Sequence, residues 1–143
     1  MFDRVLGVDP GVSRCGYGLV VRDGGKLRAA SCGVIRTPVD APLEERLTLL
    51  ADELDGLVAE LRPTAVAVER VYFQSNTRTA MSVGQASGLA LLSATRAGVA
   101  VGHYTPSEVK LAVTGSGRAD KAQVQAMVQV LLGLAAPPRP PDV

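Results

Sequence analysis

Histidine, cysteine and aromatic residues are all scarce in this chain, which has one His, two Cys, three Tyr, two Phe and no Trp among 143 residues. Cys15 and Cys32 are too few for a disulfide framework or a four-cysteine zinc site, and His103 alone supplies no histidine cluster. Zinc chemistry and a Ser/His/Asp hydrolase are therefore disfavoured, and His103 reads as a structural residue at a strand end. No apolar run approaches the roughly 18 residues of a membrane-spanning helix. Met1-Phe2-Asp3-Arg4 lacks the pattern of an export signal. The expectation is a cytoplasmic protein with reduced thiols and no membrane partner. At 47% hydrophobic and 20% charged residues the chain should fold as one domain over residues 1–143, with a core of Val, Leu and Ala.

The net charge of +1 conceals an uneven distribution. Residues 1–69 carry eight basic and eleven acidic groups, whereas residues 70–121 carry six basic and two acidic ones. A polyanion would meet a locally basic surface in the second half, because affinity for a phosphate backbone follows nearby cations rather than net charge. A solvated charged face would produce the same composition.

Residues 4–9, 16–22 and 27–36 read as three strands, the last two joined by the hairpin signal Asp23-Gly24-Gly25. A two-residue Asp23-Gly24 turn would set Cys15 opposite Cys32, and a turn shifted by one residue would not; both cysteines read as small core residues. Over residues 42–61, Leu43, Leu47, Leu50, Leu54, Leu57 and Leu61 recur in steps of four and three, one stripe of a helix. Residues 64–69 form a buried strand that surfaces at Glu69. Residues 76–97 form a helix rich in small residues (Ala80, Gly84, Ala86, Gly88, Ala90, Ala94), able to approach another backbone either in the core or in a second copy of the chain. Residues 99–104 make a further strand, residues 105–113 a short helix opening on Pro106, and residues 120–132 a final helix begun by an Asp120/Gln123 capping box. This order predicts an α/β fold: a mixed sheet of three antiparallel strands followed by βαβ units, with helices on both faces. Residues 135–141 (AAPPRPP) are low in complexity and lead only to Asp142-Val143.

Asp9 follows an apolar strand and precedes Pro10-Gly11, a pair suited to the centre of a type II turn. Ligand sites in such sheets gather at the carboxyl ends of strands, so Asp9 and Glu69 converge if their strands are neighbours. Two facing carboxylates repel and raise one pKa unless a cation intervenes, and Mg²⁺ takes oxygen ligands. Otherwise the two acids simply end strands at the solvent boundary. Asp142 is a third candidate, carried by a stiff proline segment.

Gly7-Val8-Asp9-Pro10-Gly11 with Gly16-Tyr17-Gly18, the run VAVERVYF at residues 66–73, GQASG at 84–88, YTPSEVK at 104–110 and GSGRADK at 115–121 together resemble a RuvC-type Holliday junction resolvase over essentially all 143 residues. The resemblance implies a ribonuclease-H-like fold and a homodimer. It also implies paired symmetric nicks across a four-way DNA junction during recombination and repair, with Mg²⁺ or Mn²⁺ as cofactor, two ions per site. A RuvA–RuvB-type branch-migration complex is the implied partner. Asp9, Glu69 and Asp142 fall on three of the family's four metal-binding, catalytic carboxylates; the fourth, three residues beyond Asp142 on a last helix, is not in this sequence. Paired ions roughly 4 Å apart activate water and stabilise the leaving oxygen, leaving 5′-phosphate ends. The resemblance further gives Tyr72 to base stacking, with Phe73 packed beneath the next helix, and Lys110 and Lys121 to the DNA backbone. Arg78 and Arg118 are further DNA-binding candidates for phosphate contacts.

Two rival readings have distinct signatures. A nucleotide-binding domain of the actin and sugar-kinase type needs a longer chain and a second phosphate loop. A junction-binding protein without efficient cleavage is the reading to expect if the fourth carboxylate is truly missing.

Overall fold

The computed structural model describes residues 3–70 and 77–138. Nine elements follow in chain order: β1 (Arg4–Asp9), β2 (Arg14–Asp23), β3 (Lys26–Arg36), α1 (Leu43–Leu61), β4 (Ala65–Glu69), α2 (Thr77–Arg96), β5 (Ala100–Tyr104), α3 (Pro106–Thr114) and α4 (Lys121–Leu132). They form one five-stranded mixed sheet of order β3-β2-β1-β4-β5. β1, β2 and β3 pair antiparallel, while β1, β4 and β5 run parallel. The three carboxyl ends of the parallel strands therefore share one edge, occupied by Asp9, Glu69 and Tyr104. This is the mixed α/β sheet expected from the sequence.

Alternation along the strands gives the sheet two unlike faces. Leu6 and Val8 of β1, Cys15 and Leu19 of β2, and Val66 and Val68 of β4 are buried with Leu50, Leu54 and Val58 of α1 and Ala86, Ala90 and Ala94 of α2. Ala86, Ala90 and Ala94 of α2 thus serve the core while Ala80, Gly84 and Gly88 are exposed, and the Ser93 hydroxyl ties α2 to α1 by donating to Asp55 Oδ1 at 2.7 Å. The opposite face carries Gly7, Asp9, Gly16, Gly18, Ala67 and Glu69, which floor a groove closed on one side by Val109 of α3. Neither α3 nor α4 contains a buried residue. Both begin with a complete capping box, Thr105/Glu108 and Asp120/Gln123, so local chemistry sets their starts. Among the described residues no helix is long and apolar enough to cross a membrane.

Three local expectations are corrected. The hairpin turn is centred on Gly24-Gly25, with φ of 58° and 86°, so that Asp23 pairs with Lys26. A bulge between Leu19 and Val20 shifts the ladder once more, and Cys15 faces Ile35 while Cys32 faces Gly18. Cys15 is fully buried and burial pushes its thiol up to about 11, whereas Cys32 is exposed and is no core residue. The second correction concerns Leu43, which begins the helical stripe yet is 43% exposed, because the first turn of α1 runs past the core; Val58 takes the buried position instead.

The third is Pro10-Gly11, which forms no type II turn, since Gly11 has no positive φ. Gly11 is needed for close approach: a Cβ there would stand 2.4 Å from the Arg14 carbonyl oxygen. The neighbouring Val12 N–H donates to Ser82 Oγ at 3.0 Å, fixing this loop to α2. Gly11→Ala must displace backbone that leads directly into β2, and a loss of about 1–3 kcal/mol is expected in a denaturant titration. An unchanged midpoint would show that the loop yields freely.

Candidate functional site

Asp9 and Glu69 meet because β1 and β4 are adjacent, parallel and in step, with Val5 beside Ala65 and Val8 beside Val68. One residue further on, both side chains rise from the open face at the carboxyl edge. Gly16, the β2 partner of Asp9, keeps this corner unobstructed: even a Cβ on it would lie 3.7 Å from Asp9 Cβ.

The electrostatics of the pair show in the Glu69 carboxyl. Burial pushes the Glu69 carboxyl up from 4.5 to about 6; the Asp9 charge and a hydrogen bond shared with Asp9 act in the same sense, and Lys110 pulls it back. A cation between the oxygens would remove the repulsion and take over the role of the proton. The paired carboxylate oxygens suit a hard divalent ion.

Two grooves converge on Glu69. One, of about 710 Å³, runs over the glycine-rich open face and contains Asp9, Arg14, Glu69 and Tyr104. The other, of about 410 Å³, passes between α3 and α4 and contains Glu69, Lys110 and Lys121. The structure therefore gathers Asp9, Glu69, Lys110 and Lys121 at one place. Pro138 lines both grooves. Asp142 and Tyr72, with Phe73, lie outside the described residues. Arg78 is exposed in the first turn of α2, and Arg118 is exposed in the α3–α4 connection; neither lines the two grooves. His103 is exposed beside Val68 of β4, one residue before the carboxyl edge.

Tyr104 was not singled out by its sequence. It pairs with Glu69 across β4 and β5, and its ring folds back over Gly102, where a Cβ would lie 2.8 Å from the phenol oxygen. The only sequence signal is the glycine two residues before an aromatic on the same strand face.

This chain matches the family model described as crossover junction endodeoxyribonuclease RuvC over residues 5–143. It is 54% identical over 142 residues to the crossover junction endodeoxyribonuclease RuvC of Frankia casuarinae, covering 97% of this chain and 81% of that relative. Its Streptomyces avermitilis counterpart is 56% identical over 140 residues, covering 97% and 80%. The fold superposes on T. thermophilus RuvC, solved in complex with a Holliday junction substrate, with a TM-score of 0.89 at 38% identity over 97% of this chain and 85% of the other. With the sheet order, the paired carboxylates at its edge and these matches in agreement, the chain belongs to the RuvC family of crossover junction endodeoxyribonucleases.

Proposed function

We propose that this protein is a structure-specific endodeoxyribonuclease that resolves four-way DNA junctions by divalent-metal-dependent nicking. The observation that carries the reading is the Asp9–Glu69 pair, two carboxylates brought together in one groove at the carboxyl edge by the parallel β1–β4 register. Asp9 and Glu69 would hold Mg²⁺ or Mn²⁺, and Asp142 would join them; Pro138 in both grooves returns the chain to within four residues of Asp142. Ions held there would supply an activated water and charge neutralisation at the leaving oxygen, which would leave 5′-phosphate and 3′-hydroxyl ends.

The remaining roles belong to the chain itself. Lys110 and Lys121 stand beside Glu69 in the α3–α4 groove and hold the phosphates next to the cut. Tyr72 stacks on an unpaired base, a contact worth about 1–3 kcal/mol. Arg78 and Arg118, outside the grooves, contact more distant phosphates. Symmetric nicking requires two sites, hence a homodimer. Its contact is assigned to α2, where Met81, Gly84, Gly88 and Leu92 form one exposed stripe and a Cβ on either glycine would meet nothing. A RuvA–RuvB-type complex would deliver the junction.

The test is a nicking assay on an end-labelled synthetic four-way junction with Mg²⁺, using this chain, a form extended by any downstream codons, and a linear duplex as control. Symmetric nicks in opposing strands of the junction alone are the expected result. Binding without nicking by both forms would instead establish a non-cleaving junction-binding protein.

A further inference from the structure

The groove over the open face contains one side chain that neither the fold nor the proposed chemistry uses. Tyr104 is 45% exposed, stands outside the buried core cluster, and its phenol hydroxyl makes no hydrogen bond among the described residues. The corner it occupies is fixed without it. Its carbonyl accepts from the Arg70 N–H at 2.7 Å, and the next residue, Thr105, opens α3 with its own capping box. The ring is nevertheless given a seat. Gly102, two residues earlier on the same face of β5, leaves room that a Cβ would take away, since that atom would stand 2.8 Å from Cε2 and from the phenol oxygen and 3.0 Å from Cζ. One face of the ring is thus set against backbone, and the ring lines the groove that holds Asp9 and Glu69.

The floor beside the ring is backbone as well. Gly18, Gly7, Ala67 and Gly102 lie in one row across β2, β1, β4 and β5. Neither Gly7 nor Gly18 has a positive φ, and a Cβ would meet nothing closer than 3.7 Å at Gly7 and 3.9 Å at Gly18. The packing of the chain does not require either glycine. Glycine inside a strand weakens it and marks a place where a ligand comes close to the backbone. Tyr104 is the β5 partner of Glu69, and adjacent strands lie about 4.8 Å apart, so the ring stands within one or two nucleotides, at about 3.4 Å each, of a phosphate held at Glu69. The groove that holds Lys110 and Lys121 opens from Glu69 past Pro106, just beyond the end of β5. A DNA strand held by the carboxylates and both lysines therefore crosses the end of β5, where Tyr104 stands.

We propose that Tyr104 is a stacking platform, additional to the one assigned to Tyr72, which holds a base of the cut strand within one or two nucleotides of the reacting phosphate. The inference rests on the reading that this chain nicks DNA at Asp9 and Glu69. A ring already seated on backbone loses little freedom when a base settles on its open face, so the contact orients the strand without a large ordering cost. Stacking is tolerant of sequence, because every base has a π face. Unlike the lysine contacts, it involves no charge, and it acts on the nucleotide rather than on the phosphate.

The test compares Tyr104→Phe, Tyr104→Ala and Gly102→Ala in the full chain. Gly102→Ala keeps Tyr104 but moves its ring, because the atoms that the new Cβ meets first all belong to that ring. Four-way junctions carrying 2-aminopurine at single positions flanking the crossover report stacking by fluorescence quenching, measured in the absence of divalent ions. The expected result is quenching at one position that Tyr104→Ala and Gly102→Ala abolish and Tyr104→Phe keeps. Single-turnover nicking with Mg²⁺ should fall about tenfold in Tyr104→Ala and stay near wild type in Tyr104→Phe. The slope of log affinity against log salt should be the same in all three variants as in wild type, since no cation is removed. Quenching unchanged in Tyr104→Ala would overturn the proposal. A loss in Tyr104→Phe equal to that in Tyr104→Ala would do so too, by giving the role to the hydroxyl, and so would a melting temperature that falls in step with the quenching, which would make the ring structural. Absence of nicking by the wild-type chain with the quenching intact would sink the nuclease reading alone and leave the platform standing.

Discussion

Asp9→Asn is expected to abolish nicking of a four-way junction while leaving junction affinity at its wild-type level or slightly above it. Asp9 faces Glu69 within the groove that both share with Arg14, where it contributes negative charge and no contact that a phosphate could use. On the proposed assignment, replacing it with its neutral isostere removes a metal ligand but no cation, so phosphate contacts by Lys110 and Lys121 would survive. Loss of groups that merely orient metal ligands costs about 10–100-fold in affinity or activity, so loss of the ligand itself should cost on the order of 10³-fold or more in rate. In metal-free buffer the effect on binding has the opposite sign, because one of two carboxylates repelling the DNA backbone is gone. Gel-shift and single-turnover nicking measurements on one junction separate the two effects. A parallel loss of binding and nicking would mean that Asp9 supports the fold of the edge and that the catalytic assignment is wrong.

The features of the fold that were legible in the sequence are those set by local pattern. The apolar runs before Asp9 and Glu69, the leucine stripe of α1 and the Asp120/Gln123 box all depend on neighbours within a few residues, and each element formed where its pattern lay. The cysteine pairing stayed open for a geometric reason. Asp-Gly-Gly permits more than one turn centre, and the bulge at Leu19/Val20 leaves no mark in a stretch of β-forming residues. Gly11 misled in another way: Pro-Gly suggests a positive φ, whereas its glycine answers to a carbonyl three residues on.

At the site, convergence of Asp9 and Glu69 was foreseeable as a condition, that their strands be neighbours, and the parallel β1–β4 register meets it. The approach of Lys110 to Glu69 and the Tyr104 wall were not legible from spacing, because they depend on where α3 settles after β5. The family resemblance named Lys110 and Lys121, and the groove beside Glu69 gives those two lysines a common surface.

The raised Glu69 carboxyl also makes the stability of the protein depend on pH and metal in a direction that distinguishes a cation site from a structural carboxyl pair. A carboxyl whose pKa rises from 4.5 in the unfolded chain to about 6 on folding adds stability that is complete below about 4.5 and is lost as pH rises through about 6. The metal-free protein is thus weakened at neutral pH by its own site. Full conversion of the shift would give about 2 kcal/mol, and partial solvation of Glu69 reduces this to roughly 1 kcal/mol, or about 3 °C in melting temperature for a domain of this size. Glu69→Gln and Asp9→Asn are each expected to melt higher than wild type at pH 7.5 in EDTA, and that advantage should vanish near pH 4.5. Adding Mg²⁺ should reverse the order, because on the proposed assignment only the intact pair would bind the ion in the folded state and gain stability by mass action. The same addition at pH 4.5, where the protonated carboxyl competes with the metal, should do little. Melting curves of the three proteins at both pH values, with and without Mg²⁺, test the full set of signs. A wild-type protein that outlasts both variants in EDTA at pH 7.5 would mean that the pair is held together by its shared hydrogen bond rather than strained by missing charge.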